Sequence, residues 1–426
     1  YEISECLVGS EMCIRDSGTT LVHSRKISIR AMIEMEVGCE TLIEEETAVD
    51  LESSASIYKK QKPVNLLKLH TAKKDTYRIK EEITIPGTKE SIGQVLLTDI
   101  TGRKLEVRAA QDELLLRGEL QIFCMYLSEE GKTDWLEQSV PYEGRIECSG
   151  ATEGMYYDVQ HALEDTLADV RMDEDGEMRI IGIEGTVSVR INLYEEEELN
   201  LLEDLYSLEQ KVSYQTREAV YEELLLQNQS KCKIVENLSL PELKDDVLQI
   251  CHSSGSVQIE HVETRAEKQG GILIEGILHV SFLYLKADDA LPFGNWQGMV
   301  PFSYLLECPD MPKDVRYQLS NRVEQISVTM TGSDSVEVKA VLDFDVFLRK
   351  EVPMQVITEV SLEETDREEL AKKPGIVGYM VKSGDDLWTL AKQYMTTEES
   401  IRQINHLENG KIKPGDKLII CKEIGM

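Results

Sequence analysis

Apolar and polar residues alternate along most of this chain, with the period of two expected of β-strands that bury one face. One segment places small or apolar residues at every second position, namely Leu116, Gly118, Leu120, Ile122, Cys124 and Tyr126. The same pattern returns 158 positions later, as Ile274, Gly276, Leu278, Val280, Phe282 and Tyr284. A constant offset at six positions indicates that a folded unit has been duplicated.

Other blocks repeat in the same order. VPYEGRIEC, which ends at Cys148, returns as VPFSYLLEC, which ends at Cys308, and ITIP at 83–86 returns as LSLP at 238–241. A period of about 155 residues is too long for a solenoid repeat and matches one globular domain. We therefore predict tandem domains.

A third alternating block appears three times. Residues 181–191 return as 336–346, and a similar block lies earlier at 27–37. Because each full copy ends on this block, we expect the region before residue 75 to hold only the last strand of a preceding copy and its trailing connection. The first 17 residues resemble the conceptual translation of a sequencing adapter, and we exclude them from the predicted fold.

The fold class predicted for the repeated part is mainly β, with antiparallel strands in sandwich-like domains. Residues 157–172 could also form a helix, but their counterpart ending at 326–330 is alternating and β-branched, which favours a strand in both copies. Residues 218–229 are predicted to hold a short helix.

The C-terminal residues 377–421 show a different pattern, which predicts the order β-α-α-β. The first helix carries a helically spaced apolar stripe of Leu387, Trp388, Leu390, Ala391 and Tyr394. Ile401 and Ile404 supply the facing stripe of the second helix. These residues form the predicted core of a small α+β domain.

Cap and turn residues define the ends of these helices. Asp385 or Asp386 can cap the first helix, and Thr396 or Thr397 the second, because a side-chain oxygen satisfies the unpaired N–H groups of the first turn. Residues 413–416, Lys-Pro-Gly-Asp, predict a turn before the closing strand.

This segment resembles a LysM domain. The resemblance rests on the G-D-x-L-W element at 384–388, the Ile-Asn pair at 404–405 and the I-x-P-G-x-x-L element at 412–418. Asp386 stands where the family usually has Ser or Thr, which weakens the case for a glycan ligand.

In LysM domains that bind N-acetylglucosamine polymers, the ligand lies in a groove between two loops. By resemblance, the groove residues of the first loop are Gly384, Asp385, Asp386 and Leu387. Those of the second loop are Asn405, His406, Leu407 and Ile412. The alternative interpretation is that Leu387 and Trp388 serve only the core and Asp386 serves only as a helix cap.

The predicted organisation has six parts. They are an adapter-like segment (1–17), the end of a truncated β domain (18–75), two β domains (76–230 and 231–362), an acidic linker (363–376) and the LysM domain (377–421).

Composition narrows the possible partners and compartments. The formal charge of −33 disfavours nucleic acid, since no cluster of basic and aromatic residues offsets it locally. No run approaches the roughly 20 apolar residues of a membrane-spanning helix. Seven cysteines lie beyond the first 17 residues, an odd number without C-x-x-C, and Cys148 and Cys308 are equivalent positions. We expect reduced core cysteines and a reducing compartment, the cytoplasm.

No catalytic, metal-binding or cofactor-binding motif is found. The chain lacks the phosphate loop, the H-E-x-x-H zinc element and the G-x-S-x-G nucleophile elbow. Its seven histidines are scattered, and none recurs between the copies. We therefore expect a protein that is not an enzyme and that uses no cofactor or metal.

The tandem β units followed by LysM resemble the SPOCS-domain proteins of endospore-forming bacteria. The resemblance covers about residues 24–421 and lies in the repeated I-P or L-P start, the V-P-Y/F element and the long alternating terminal strand of each copy. It implies a morphogenetic scaffold of the spore coat, made in the mother cell, whose LysM domain binds the coat-basement ATPase at the forespore surface.

Two alternatives remain open at this point. The LysM domain could anchor the chain to peptidoglycan or cortex through N-acetylglucosamine oligomers. It could also target an enzyme, although no catalytic domain is recognised in the sequence.

Overall fold

Antiparallel β-strands make up most of the structure, which is a computed structural model. It describes residues 6–23, 25–41, 44, 46–53, 56–244, 246–266, 270–286, 292–364, 374–407 and 411–423. The first eight strands are β1 (Cys6–His23), β2 (Lys26–Thr41), β3 (Ile57–Thr84), β4 (Ile92–Ala110), β5 (Glu113–Ser128), β6 (Thr133–Glu147), β7 (Tyr156–Met172) and β8 (Met178–Ser207). The next six are β9 (Gln210–Ser239), β10 (Val247–Arg265), β11 (Gly271–Lys286), β12 (Phe293–Glu307), β13 (Val315–Met330) and β14 (Ser335–Glu364). One 3₁₀ turn, Pro241–Leu243, separates β9 from β10.

Each copy of the repeat is a sandwich of two three-stranded sheets. In the first copy, the sheets β4-β5-β6 and β3-β8-β7 share one hydrophobic core. In the second copy, the sheets β10-β11-β12 and β13-β14-β9 share another. The segments that revealed the repeat are the central strands β5 and β11. The prediction of tandem β-sandwich domains is therefore confirmed.

The inward-facing stripes explain this packing. Tyr126 and Ile191 are fully buried in the first core, and Leu278 and Phe344 are fully buried in the second. These residues alternate with outward-facing ones. The inward-facing side chains can therefore be removed from water while the backbone keeps its hydrogen bonds to the neighbouring strands.

A glycine faces an aromatic ring at the same place in both cores. Gly118 on β5 pairs with Tyr142, and Gly276 on β11 pairs with Phe302. A Cβ at Gly118 would lie 2.5 Å from the Tyr142 ring, and one at Gly276 would lie 2.4 Å from Gln258 O and 2.9 Å from the Phe302 ring. Glycine is therefore required because the ring covers the strand backbone.

The two sandwiches contact each other through a histidine. The His252 ring on β10 stacks on Phe123 of β5, with centroids 4.2 Å apart and the rings inclined by 15°. Its Nε2 is 2.8 Å from Asp99 Oδ2, and its Nδ1 is 3.9 Å from Glu137 Oε1. Phe123 faces away from its own core but is fully buried, so this contact covers an aromatic side chain that the first sandwich alone would expose.

The chain divides into two compact units. The first, the sandwich unit, contains both sandwich cores and the strand pair β1-β2. The second, the LysM unit, contains residues 43–66, 197–223 and 351–426. Four long strands are divided between the units: one part of each belongs to the sandwich unit and the other part to the LysM unit. These strands are β3, β8, β9 and β14.

Two ambiguous segments had different outcomes. The strand prediction for residues 157–172 is confirmed by β7. The helix predicted at 218–229 is wrong, because these residues lie within β9. Ala219 is buried in one hydrophobic cluster, and Leu224 and Leu226 pack against others, so long-range packing outweighs the local helix propensity of Glu and Leu.

The predicted domain boundaries fall within long strands. The boundary at 75/76 lies in β3, the one at 230/231 in β9, and the one at 362/363 in β14. Residues 365–373 of the predicted acidic linker lie outside the described residues, as do residues 1–5 of the adapter-like segment. Residues 6–17, which the prediction excluded from the fold, lie in β1, which pairs with β2.

The cysteines of the two cores are small apolar residues. They are free and buried at positions 124, 148, 232, 251 and 308. Burial raises the pKa of Cys124 to about 11 and also raises the pKa of Cys148 and Cys308. These thiols are therefore protonated and unreactive near neutral pH.

Candidate functional site

The C-terminal domain has the predicted β-α-α-β order. Its elements are β15 (Ile376–Met380), α1 (Leu387–Tyr394), α2 (Glu398–Ile404) and β16 (Lys417–Cys421), with β15 and β16 paired antiparallel. The buried residues at its centre are Val381, Leu387, Leu390, Ala391, Ile401, Leu418 and Ile420. Ile404 was predicted to join them but is 36% exposed, because it is the last residue of α2.

Side-chain caps begin both helices. Asp386 caps α1, since its Oδ1 accepts a hydrogen bond from Thr389 N at 2.7 Å. Thr397 caps α2 by accepting from Ser400 N at 3.1 Å. Each of these residues is one of the two cap candidates that the sequence offered.

The turn before β16 also follows the sequence pattern. Asp416 N donates to Lys413 O at 3.0 Å, and Gly415 adopts a φ of +95°. This conformation favours glycine, so the Pro-Gly turn is confirmed.

The polar residues of the first groove loop stabilise the loop itself. Asp385 Oδ2 accepts from Tyr379 Oη at 2.9 Å and from Lys382 N at 2.7 Å. Asp386, the helix cap, lies 3.7 Å from Lys60 Nζ. Partial burial opposes ionisation of Asp386, but hydrogen bonds from Thr389 and the charge of Lys60 hold its pKa below the usual value. Gly384 is exposed with open space around it.

The second groove loop is held by an asparagine. Asn405 Nδ2 donates to Ile401 O and Ile419 O at 2.8 Å, and its Oδ1 accepts from Ile419 N at 2.7 Å. The predicted ligand-binding Asn405 therefore joins α2 to β16. His406 has a φ of +53° and is exposed.

The two loops meet through apolar side chains. Leu387 is buried in the domain core, and Leu407 and Ile412 pack against the same cluster. Residues 408–410, between these last two, lie outside the described residues. Of the eight predicted groove residues, Gly384 and His406 are thus the two exposed positions for which the described residues show no side-chain contact within the domain.

A set of contacts that the sequence did not predict surrounds α1. Trp388 Nε1 donates to Asp204 Oδ2 at 2.8 Å, and Lys392 Nζ donates to Asp204 Oδ1 at 2.5 Å. Tyr206 Oη donates to Thr396 O at 2.9 Å. Trp388 is therefore more than a core residue, although it does pack against the LysM core. Asp204 lies within an acidic stretch, where no motif distinguishes it.

The outer face of the β15-β16 sheet is apolar and exposed. Ile376 and Met380 on β15 are 71% and 59% exposed, and Ile419 on β16 is 52% exposed. Gly378 pairs with Ile419, and Lys417 pairs with Met380, so these residues form one contiguous face.

A cavity of about 510 Å³ lies in the sandwich unit, lined by parts of both sandwiches. Four of its charged groups form two ion pairs, Arg322 with Asp345 at 2.8 Å and Arg108 with Glu106 at 3.2 Å. The fifth, Asp158, accepts a hydrogen bond from Asn192 Nδ2 at 3.4 Å. Burial, together with the charge of Arg322, lowers the pKa of His161 in the wall to about 4. Each of these charged groups therefore already has a partner within the protein.

Metal-binding clusters and membrane-spanning helices are both absent from the described residues. Within the ranges that the structure describes, no group of three or more His, Cys, Asp or Glu residues is arranged to hold a metal ion. No helix in the described part of the chain has the length and apolar character needed to cross a membrane.

Comparison with protein families agrees with both predicted domain types. A LysM domain model matches residues 379–420. The model described as "SipL, SPOCS domain" matches residues 91–173 and 246–331, one match in each sandwich. Neither curated proteins nor solved structures gave a match.

Proposed function

We propose that this chain, which matches the SPOCS domain model in both sandwiches and the LysM domain model at residues 379–420, is a non-enzymatic scaffold of the spore coat. In this proposal, the chain acts in the mother-cell cytoplasm at the forespore surface. Its LysM domain binds a coat-basement morphogenetic ATPase, and the sandwiches add further contacts. Once the first contact has formed, the others become intramolecular, so that even weak contacts form at a high effective concentration.

The exposed outer face of the LysM sheet is the main observation in favour of a protein partner. Ile376, Met380 and Ile419 are each more than half exposed, and contiguous apolar surface of this kind is typical of sites that proteins bind. The groove gives weaker support to a glycan ligand, because Asp385, Asp386 and Asn405 already bond within the domain.

A pull-down with the purified ATPase tests this proposal. We expect the full chain to capture the ATPase and a chain without residues 377–426 to lose capture. The double variant Met380→Ser, Ile419→Ser should weaken capture at least about tenfold, as expected when central apolar contacts are removed. His406→Ala, on the groove, is the matched control and should capture normally. Equal capture with and without residues 377–426 would exclude the LysM domain from the interaction.

Peptidoglycan binding is the second candidate function, and the LysM match itself favours it. It predicts that the chain sediments with purified peptidoglycan and that His406→Ala reduces sedimentation. The outer-face double variant should sediment normally. Asp385→Ala is a poor probe, because loss of its bonds to Tyr379 and Lys382 would disturb the loop.

A further inference from the structure

One carboxylate joins the LysM domain to other strands of the LysM unit. Asp204, near the end of β8, accepts hydrogen bonds from Trp388 Nε1 at 2.8 Å, Lys392 Nζ at 2.5 Å and Tyr214 Oη at 2.7 Å. Two of these donors lie one turn apart on α1, so Asp204 fixes both the position and the rotation of this helix.

A tyrosine two residues further on adds a second contact. Tyr206 is 4% exposed and donates to Thr396 O at the end of α1. Its ring meets Trp388 edge-to-face at 4.9 Å and stacks on Tyr58 of β3 at 5.0 Å. Tyr206 and Leu208 belong to the same buried cluster as the LysM core, so the core of the domain continues into β8 and the turn that follows it.

The electrostatics favour this arrangement. Partial burial works against the charged form of Asp204, but hydrogen bonds from Lys392, Trp388 and Tyr214 outweigh it and hold its pKa below the usual value. Lys392 Nζ also lies 5.3 Å from the centre of the Tyr214 ring, where a cation is attracted to the aromatic face. Loss of the carboxylate would leave a lysine and an indole N–H without their shared partner.

We infer that Asp204 is a positioning residue that holds the LysM domain on β8 and β9, an arrangement we call the latch. The domain is then held in one orientation on these strands and is not freely tethered. The α1 face that carries Trp388 and Lys392 is then closed to partners. The exposed groove residues and the outer face of the sheet remain accessible. This inference holds whichever molecule the LysM domain binds.

Trp388 fluorescence in the full chain tests the latch. The substitutions Trp135→Phe and Trp296→Phe leave Trp388 as the sole tryptophan. In this background, we expect Asp204→Ala to shift the emission to longer wavelength. The same substitution should raise the acrylamide quenching constant roughly twofold, as expected when a docked element opens locally. The quenching constant measured in the urea-unfolded chain is the value expected for a fully exposed Trp388.

Neighbouring residues provide matched variants. Glu203→Ala removes an adjacent carboxylate that pairs with Lys60 at 3.3 Å and should leave the emission of Trp388 unchanged. Lys392→Met retains the aliphatic stem and Tyr206→Phe retains the ring, so each should raise quenching less than Asp204→Ala does.

Circular dichroism separates release of the domain from unfolding. A native β spectrum together with raised quenching supports the latch. If Asp204→Ala does not fold, the same comparison is made with Lys392→Met and Tyr206→Phe. Quenching that is unchanged in every folded variant overturns the inference.

Discussion

The two sandwiches share the apolar pattern of their inward-facing positions but differ in one outward-facing row across the first sheet. In the first sandwich, this row consists of Asp99, Phe123 and Glu137. In the second, the row at the same place consists of Ser254, Ser281 and Gln297. Inward positions are constrained because a shared core tolerates few changes of volume. The outward-facing row lies outside the core and is not constrained in this way. In the first sandwich it contacts His252.

Replacing the aromatic residue of this row should have the largest effect. Phe123→Ser gives the first sandwich the residue of the second, and we expect a loss of about 3–5 kcal/mol in the free energy of unfolding, typical of removing a buried Phe ring. Urea unfolding monitored by circular dichroism measures this loss. Ser281→Ala is the control and should change stability by less than about 0.5 kcal/mol. If Phe123→Ser and Ser281→Ala both change stability by a similarly small amount, the contact between Phe123 and His252 does not stabilise the protein.

The inward-facing glycines should instead respond alike. Gly118→Val forces a side chain against the ring of Tyr142, and Gly276→Val forces one against Gln258 O and the ring of Phe302. We expect each to lose about 1–3 kcal/mol through overpacking. The same unfolding experiment applies. Gly87→Ala is the control, because open space surrounds that residue. A large loss at only one of the two glycines would show that the two cores are not equivalent.

The smallest effect concerns pH. Burial disfavours the charged form of His252, but hydrogen bonds and charges from Asp99 and Glu137 outweigh it and raise its pKa above the ordinary value. Arg103, on the same sheet, is a cation near both carboxylates. A raised pKa in the folded state adds stability that is fully present below the unfolded-state value of about 6.5 and is lost as the pH rises through the folded-state pKa.

We therefore expect the wild type to lose about 1 kcal/mol more stability than His252→Gln between pH 6 and pH 9, the scale of one intramolecular hydrogen bond. Urea unfolding at a series of pH values measures the difference. His261→Gln is the control, since His261 is an exposed histidine on the same strand. Parallel pH profiles for the wild type and His252→Gln would contradict the expectation.

The sequence predicted those parts of the fold that repeat or alternate. The offset of 158 residues located β5 and β11, and comparison of the copies identified 157–172 as a strand. The sequence could not predict the strand at residues 218–229. Glu and Leu favour a helix there locally, and only packing against distant strands makes β9 extended.

For the candidate site, the sequence identified the caps and the turn because these depend on neighbouring residues. Asp385 and Asn405 were predicted to bind a ligand, yet both bond within their own domain. The Asp204 contact could not be foreseen, because 184 residues separate Asp204 from Trp388 and neither forms a motif with the other. Long-range polar contacts leave no periodic signal in a sequence.

The buried cysteines give each sandwich a natural chemical reporter. Cys124 and Cys148 lie in the first core and Cys232 and Cys308 in the second, all protonated and shielded in the native state. An alkylating reagent should label them only when their own sandwich opens. Peptide mass spectrometry after timed labelling would then give a separate opening rate for each sandwich in the unmodified chain, without any engineered probe.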